Sequence, residues 1–447
     1  MKSRTLNMTA GRPLVLLSVF ALPLLIGNLF QQAYNLVDSV IVGRFVGASA
    51  LAAVGATNAI SFLFFSVCNG ISGGGGIITS QYFGAGDDRR VQKAIVNSAY
   101  ITLVSSLAMG ALALCLAPSV LRLLRTPADI MHDAVLYMRM MCISVPLIGI
   151  YNYASSMLRA LGDSKTPLYF LTAACLINTG LDLLFVGGFG MGVFGAALAT
   201  MISQLIAGVS SLLFAFKTNR YFHSLNRSHM VFDRYITRQA VRLGLPLAMQ
   251  WSMIAFSTTA LQSFVNSFGT TAVAAFTATS RIEQLVQQPF GSLGVAMATY
   301  AGQNFGAGKM DRIRTGLKDT ILGMGAFSIV MTVIMQLFGS RIIRIFVTDP
   351  AVTAMGGTAL KLTSIFYIFL GIIYTTRGAL NGVGDVLFSF INGFSEVICR
   401  IFLPMLLMLI PGAGVWSIWW TAGLTWLISA LCCLIRYRSW EKRFHLI

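Results

Sequence analysis

The sequence predicts an all-α polytopic membrane protein in which twelve transmembrane helices form two pseudo-symmetric six-helix lobes. The first observation is composition, since 56% of the 447 residues are hydrophobic and only 11% are charged. A soluble domain of this size would need more charge to cover its surface, whereas a lipid bilayer accepts apolar side chains. The second observation is a series of twelve apolar runs, and the third is a parallel internal repeat with a constant offset. Helices are expected because lipid cannot hydrogen-bond an open backbone group.

Each apolar run is about twenty residues long, which is the length that an α-helix needs to cross the hydrocarbon core. The runs are apolar on most faces, so they differ from the alternating strands of a transmembrane β-barrel. In the first half of the chain they predict spans at residues 14–43, 51–80, 94–117, 134–156, 167–187 and 193–216. In the second half they predict spans at residues 240–265, 273–300, 317–338, 357–380, 387–410 and 414–435.

The distribution of basic residues predicts the orientation of these spans. One set of loops and span ends, which includes both termini, holds most of the basic residues: Lys2, Arg4, Arg12, Arg89, Arg90, Lys93, Arg159, Lys165, Lys217, Arg220, Arg227, Arg234, Arg238, Arg242, Lys309, Arg312, Arg314, Lys318, Arg377, Arg436, Arg438, Lys442 and Arg443. The opposite set holds only Arg44, Arg122, Arg125, Arg139, Arg341, Arg344 and Lys361. By the positive-inside rule we expect a multi-pass protein of a bacterial inner membrane with both termini in the cytoplasm.

Several function classes are excluded by the sequence. The net charge of +17 lies in these loops, so it indicates membrane orientation and not nucleic-acid binding. No GxxxxGK[ST] motif occurs, and Gly73–Gly76 lies inside an apolar span, where close helix packing explains it better than a phosphate site. The seven cysteines lie in apolar stretches without a CxxC pair, so neither disulfides nor a metal site is expected beyond a possible Na⁺. We therefore expect no enzyme activity, nucleotide or cofactor, with the lipid bilayer and small organic molecules as partners of a monomer.

The internal repeat relates the two halves of the chain. Gln81-Tyr-Phe-Gly-Ala-Gly86 recurs as Gln303-Asn-Phe-Gly-Ala-Gly308, 222 positions later. The same offset relates Gly162-Asp163 to Gly384-Asp385. Because each half contains an even number of spans, both halves insert with the same orientation, as in some secondary transporters. The predicted lobes are residues 1–216 and 240–447, joined by a cytoplasmic loop at 217–239, and such a duplication would form a central cleft.

Four acidic residues lie well inside predicted spans, namely Asp38, Asp182, Glu283 and Glu396. A charge at the centre of a bilayer costs about 3 kcal/mol, so each requires a partner or a function. Asp38 and Asp182 are each about five residues from the outer ends of their spans, and Asn178 is one turn before Asp182 on the same face. Thr200 and Tyr137 are predicted at similar depth on two further spans.

Five polar groups from four spans are therefore expected to converge in the first lobe. Two carboxylates in a dry environment cannot both stay ionised without a proton or a cation, and oxygen ligands suit Na⁺ as well. The alternative interpretation is that these side chains cap or cross-link helices.

The second lobe does not repeat this group, because Ala260, Arg400 and Pro404 stand at the corresponding positions. Glu396 and Arg400 are spaced i,i+4, so they are expected to pair. Arg281 and Glu283 are two residues apart and face different directions. All four charged residues could line a polar cleft or pair structurally. Further candidates for the substrate cleft are Gln31, Asn35 and Gln250, and Pro23 could act as a hinge or merely kink the first span.

Several motifs together resemble the multidrug and toxic compound extrusion (MATE) family. They are Ala21-Leu-Pro, Gln32-Ala-Tyr-Asn-Leu-Val-Asp-Ser-Val-Ile-Val-Gly43, Leu158-Arg-Ala-Leu-Gly-Asp163, Asn178-Thr-Gly-Leu-Asp-Leu-Leu-Phe185 and the paired Gln-x-Phe-Gly-Ala-Gly loops. The pattern is more similar to the DinF-type branch than to the NorM branch, which commonly has a Glu where this chain has Gln250. The resemblance implies twelve helices in two lobes and a cation or proton site at Asp38, Asn178, Asp182 and Thr200, with Tyr137 nearby.

The resemblance also implies a function. We expect a secondary active multidrug or toxin antiporter, which exports small organic molecules, often cationic and amphipathic, in exchange for Na⁺ or H⁺ by alternating access. The alternative is a lipid-linked precursor flippase or a dedicated metabolite exporter of the same superfamily. A flippase would usually show extra spans and a strongly cationic cavity, and a membrane enzyme would need a clustered nucleophile or metal set such as HExxH; the sequence shows none of these.

Overall fold

The structure, a computed structural model, describes residues 5–123 and 126–445, so that Lys2, Arg4 and Arg125 lie outside the described residues. Within those ranges the chain forms helices and turns without a β-strand. The α-helices are α1 (Pro13–Phe45), α2 (Ala48–Gly84), α3 (Asp88–Leu123), α4 (Met131–Ala160), α5 (Lys165–Asp182), α6 (Gly192–Thr218), α7 (Arg220–His223), α8 (Arg234–Val265), α9 (Thr270–Gly306), α10 (Met310–Ile343), α11 (Pro350–Ser364), α12 (Tyr367–Gly382), α13 (Val386–Met408) and α14 (Ser417–His445).

Each of the twelve predicted spans falls on one of these helices or on a pair of them. In the described part of the chain, nine helices are long and apolar enough to cross a membrane, and the pair α11 and α12 makes a tenth. The helices α8 and α9 are less apolar. In α8 three arginines lie within the first nine residues, and α9 contains an arginine, a glutamate and several glutamines. The short α7 and a 3₁₀ turn at Arg227–His229 lie in the predicted loop between the halves.

Two interruptions of the predicted spans were not anticipated. A π-helix, Leu183–Gly188, follows α5 directly. In the tenth span, α11 and α12 are bent by 51° at Ile365 and Phe366. No proline or glycine marks this second break. Its carbonyl groups instead accept hydrogen bonds from α10 side chains: Thr332 Oγ1 donates to Ser364 O at 2.7 Å and Gln336 Nε2 to Lys361 O at 2.7 Å. These side chains supply donors to carbonyl groups at the break in the helix.

The tertiary contacts divide the described chain into two compact units. Unit 1 consists of the described residues of Met1–Ala10, Leu22–Met249 and Gly302–Gly308. Unit 2 consists of the described residues of Gly11–Ala21, Gln250–Ala301 and Lys309–Ile447. The predicted lobes follow the sequence repeat and not these contacts, so their boundaries at 216 and 240 remain a prediction.

Close helix packing in unit 1 explains its glycine run. A Cβ atom added to Gly74 of α2 would overlap the backbone of Ala240 and Gly244 in α8. One added to Gly75 would overlap Ser98 of α3, and one added to Gly76 would overlap Ser156 of α4. Only glycine lets these helices approach so closely, which confirms the interpretation of this run as a packing motif.

The repeated Gln-x-Phe-Gly-Ala-Gly motifs also meet within unit 1. A Cβ atom on Gly84 would overlap the Gln303 carbonyl oxygen, and one on Gly306 would overlap the Gln81 carbonyl oxygen. The Gln303 side chain accepts from the Met8 backbone N–H at 2.8 Å and donates to Ala160 O at 3.1 Å. The two copies of the motif therefore form one reciprocal backbone contact, in which each glycine admits the other copy.

Candidate functional site

Two carboxyl groups from different helices of unit 1 meet inside the membrane-spanning region. Asp38 belongs to α1, and Asp182 is the last residue of α5, immediately before the π-helix. Their side chains are in hydrogen-bonding contact. Asp182 is completely buried. Because two carboxylate anions repel each other at this separation, a carboxyl–carboxyl hydrogen bond requires a proton shared by the pair.

Asn178 and Thr200 form the adjoining side of this group. When the Asn178 amide is oriented to satisfy both of its ends, its nitrogen donates to Asp182 Oδ2 at 2.9 Å. Its oxygen then accepts from the Thr200 backbone N–H at 3.1 Å. The Thr200 hydroxyl donates to Ala196 O at 3.1 Å, one turn earlier in α6. Asn178 therefore links α5 to α6 and holds Asp182 in place.

Two tyrosines complete the group. Tyr137 of α4 is buried and lies within electrostatic range of Asp38 and Asp182. Tyr34 of α1 forms a side-chain hydrogen bond with Thr200. The sequence prediction missed Tyr34, although it is spaced i,i+4 with Asp38 and therefore shares its helix face. The structure thus brings together all five predicted residues of the first half and adds a sixth.

The arrangement has spare acceptors for a small cation. Asp38 Oδ1 and Asp182 Oδ1 are both buried and make no hydrogen bond with the described residues. Buried carboxylate oxygens are rarely left without a partner. The donor set of carboxylate, amide and hydroxyl oxygens suits either a proton or a hard cation such as Na⁺. The described residues contain no group of three His, Cys, Asp or Glu side chains that could hold a transition metal. The six residues Tyr34, Asp38, Tyr137, Asn178, Asp182 and Thr200 are called the carboxyl site below.

In unit 2, the prediction that Glu396 pairs with Arg400 is wrong. Glu396 Oε1 instead accepts from Arg377 Nη2 of α12 at 2.6 Å. The same Arg377 nitrogen donates to Asn392 Oδ1 at 2.7 Å, and the Ser429 hydroxyl donates to Glu396 Oε1 at 3.1 Å. Arg377 was expected among the basic residues at the cytoplasmic end of the tenth span, and it is buried inside α12. A buried guanidinium needs a counter-charge, and helix spacing within α13 alone could not reveal one on a neighbouring helix.

Arg400 instead lies near Glu283. Glu283 of α9 is within electrostatic range of Arg400 and beside Thr363, the penultimate residue of α11. Tyr367, the first residue of α12, is also near Glu283 and Thr363. Glu283 Oε1 and Arg400 Nε make no hydrogen bond with the described residues. These groups therefore gather at the break between α11 and α12.

The remaining candidates occupy different environments. Gln250 is buried with its Oε1 atom unpartnered among the described residues. By contrast, Arg281 on α9, and Gln31 and Asn35 on α1, are exposed on their own units. Pro23 is buried inside α1, which continues through it as one helix. The structure does not bring these residues into the carboxyl site.

Comparisons with known proteins agree with this architecture. The family model MatE matches residues 23–184 and 246–406. The probable multidrug resistance protein YpnP of Bacillus subtilis strain 168 is 30% identical over 440 residues, which cover 97% of this chain and 96% of that protein.

Two solved structures show the same fold. A crystal structure of MATE in the straight conformation has a TM-score of 0.91 with 21% identity, and covers 99% of each chain. A crystal structure of MATE in the bent conformation has a TM-score of 0.89 with 20% identity, and covers 98% of each chain. The predicted fold of twelve membrane helices in two six-helix lobes is thereby confirmed.

Proposed function

Because the chain belongs to the MatE family, we propose that it is a secondary active multidrug efflux antiporter, which exports small organic molecules in exchange for H⁺ or Na⁺ by alternating access. Multidrug efflux is supported by the 30% identity to a probable multidrug resistance protein over nearly the whole chain. The coupling to an ion is supported by the carboxyl site. Its two facing carboxyl groups, buried among membrane helices, are the single observation that carries the proposal.

The exchange would begin when an ion from outside enters the carboxyl site. One H⁺ or Na⁺ cancels the repulsion between Asp38 and Asp182, which is strong in a medium of low dielectric constant. Since α1 and α5 each provide one carboxyl group, the ion favours an arrangement in which these helices stay together. Loss of the ion to the cytoplasm restores the repulsion and favours a different arrangement of the same helices. Substrate would bind preferentially to one of these two states.

The driving force is sufficient for export. One elementary charge that moves down a membrane potential of 100 mV supplies about 2.3 kcal/mol. At about 1.4 kcal/mol for each tenfold ratio, one ion supports roughly a fifty-fold gradient of a neutral substrate. With the basic loops on the cytoplasmic side, both termini would face the cytoplasm and the ion would enter from the opposite side.

Transport by the purified protein in proteoliposomes tests this proposal. A pH gradient and a Na⁺ gradient are imposed separately, and the movement of a fluorescent dye is followed against protein-free vesicles. We expect dye movement under one gradient and none when that gradient is collapsed. The gradient that drives movement identifies the coupling ion. No movement under either gradient would contradict multidrug antiport and would favour a dedicated metabolite exporter or a flippase.

A further inference from the structure

A polar stripe runs along the exposed side of α9 in unit 2. It consists of Thr277, Arg281, Gln284 and Gln288, which are spaced i, i+4, i+7 and i+11 and therefore lie on one face of the helix. The first three side chains are exposed, and Gln288 is partly exposed. The exposed Leu285 lies on the flank of this stripe.

Other helices of unit 2 expose a different kind of face. On α13 the exposed side chains are apolar: Leu387, Ile391, Phe394, Ile398, Phe402 and Met405. Between residues 322 and 337 of α10 they are likewise apolar, with Leu322, Ile329, Val330, Val333 and Leu337. Such faces suit hydrocarbon chains, whereas a guanidinium and two amides do not, because lipid offers them no hydrogen-bond partner. The polar stripe therefore faces water or a bound solute.

The charges of unit 2 leave this stripe positive. Arg377 is neutralised by Glu396 at 2.6 Å. Arg400 is within electrostatic range of Glu283. Arg281 is exposed, and it makes no ion pair or hydrogen bond with the part of the chain that the structure describes. Unit 1 has the opposite sign at its own polar group, where Asp38 and Asp182 face each other. An uncompensated guanidinium in a membrane protein calls for an anionic partner.

We propose that Arg281 and Gln284 bind an anionic group, a carboxylate or a phosphate, on an amphipathic organic substrate. A guanidinium presents paired N–H donors that match the oxygens of such a group. Gln284, one turn further along the same face, adds an amide donor. The Gln288 amide already donates to the Gln284 backbone oxygen at 3.1 Å, so it is not the principal donor. Leu285 contacts the apolar part of the substrate. This inference rests on the proposed function, and it narrows the substrate class to molecules with a negative charge.

Equilibrium binding tests this proposal without relying on transport. The purified full-length protein is placed in lipid nanodiscs, and fluorescence anisotropy is measured with three pyrene probes that share one ring system but end in a carboxylate, an ammonium or a hydroxyl. The signal of protein-free nanodiscs is subtracted. We expect the wild-type protein to bind the carboxylate probe most tightly.

The variant Arg281→Gln should weaken binding of the carboxylate probe by about tenfold or more, because it removes a charge-assisted pair. It should leave binding of the hydroxyl probe unchanged. Arg281→Lys should lose less, since it keeps the charge. The matched control is Arg344→Gln, an exposed arginine after the end of α10, which should bind all three probes as the wild type does.

Two results would overturn the inference. One is an unchanged Kd of Arg281→Gln for the carboxylate probe. The other is a wild-type protein that binds the ammonium probe more tightly than the carboxylate probe, or does not bind the carboxylate probe at all. Failure of the proposed antiport function is recognised separately, because proteoliposomes would then show no gradient-driven movement whatever the binding results.

Discussion

Arg377 Nη2 of α12 lies 2.6 Å from Glu396 Oε1 of α13, and the two side chains are only 6% and 8% exposed. Asn392 and Ser429 hydrogen-bond to the same pair. A charge pair this deeply buried has given up its hydration, so each partner depends on the other. The relationship therefore identifies Arg377 and Glu396 as a structural connection between α12 and α13 in unit 2.

Removal of one member of this pair should destabilise the protein. Glu396→Gln leaves the Arg377 guanidinium buried without a counter-charge and should lower the free energy of unfolding by about 3 kcal/mol. The double variant Arg377→Met with Glu396→Gln should recover most of this loss, because neither charge remains. Thermal unfolding in detergent measures both effects. The control is Asp385→Asn, which removes the partner of Arg436; this pair is more exposed, with side chains 34% and 14% accessible, so its loss should cost less. An equal stability of Glu396→Gln and the wild type would contradict this account.

The glycine contact between α2 and α8 should tolerate no side chain. Gly74→Ala introduces a methyl group where the backbone of Ala240 and Gly244 already lies, and should cost about 2 kcal/mol. The matched control in the same helix is Gly55→Ala, since nothing lies within 4 Å of its added Cβ. Fluorescence-detected size-exclusion chromatography after heating reports the remaining folded fraction. The packing interpretation fails if the two variants survive heating equally well.

Asn178 should set the affinity of the carboxyl site for its ion. Asn178→Ala removes a donor to Asp182 and an acceptor for the Thr200 N–H. If Na⁺ is the coupling ion, the Na⁺ concentration that gives half-maximal export should rise about tenfold, because Asp182 is no longer held in place. If H⁺ is the coupling ion, the H⁺ concentration that gives half-maximal export should fall about tenfold, because the lost donor stabilised the carboxylate. Initial rates of dye movement at graded ion concentrations measure this value. Thr179→Ala is the control, because its hydroxyl donates only to the Cys175 carbonyl of its own helix. An unchanged half-maximal concentration in Asn178→Ala would remove Asn178 from the site.

The sequence could predict the carboxyl site because depth in a membrane is readable from span boundaries. Asp38 and Asp182 are each about five residues from the outer ends of their spans, and Thr200 lies at a similar depth, so counting along helices placed them at one level. Helix spacing also placed Asn178 and Asp182 on one face. Counting residues along a span does not show how each helix is rotated about its own axis. Tyr34 was overlooked, although its i,i+4 spacing from Asp38 places it on the same helix face.

The break between α11 and α12 and the partner of Glu396 depend on neighbouring helices, so the sequence around them did not predict them. The sequence around Ile365 and Phe366 contains no proline or glycine, and the break there relies on hydrogen bonds from α10. The partner of Glu396 was misassigned for the same reason. Arg400 has the correct spacing on α13, but Arg377 reaches Glu396 from α12. Pairing between helices is decided by their packing, which i,i+4 rules do not describe.

The most direct test of the central claim compares gradient-driven export by Asp38→Asn with that by the wild type. Both proteins are reconstituted at equal density, and Asp311→Asn, which changes an exposed carboxylate at the start of α10, serves as the control. We predict that Asp38→Asn inserts normally but loses gradient-driven dye movement, because an amide cannot release a proton or match the charge of a carboxylate. Asp311→Asn should transport as the wild type does. Full export by a well-inserted Asp38→Asn protein would contradict the role of the carboxyl site in coupling.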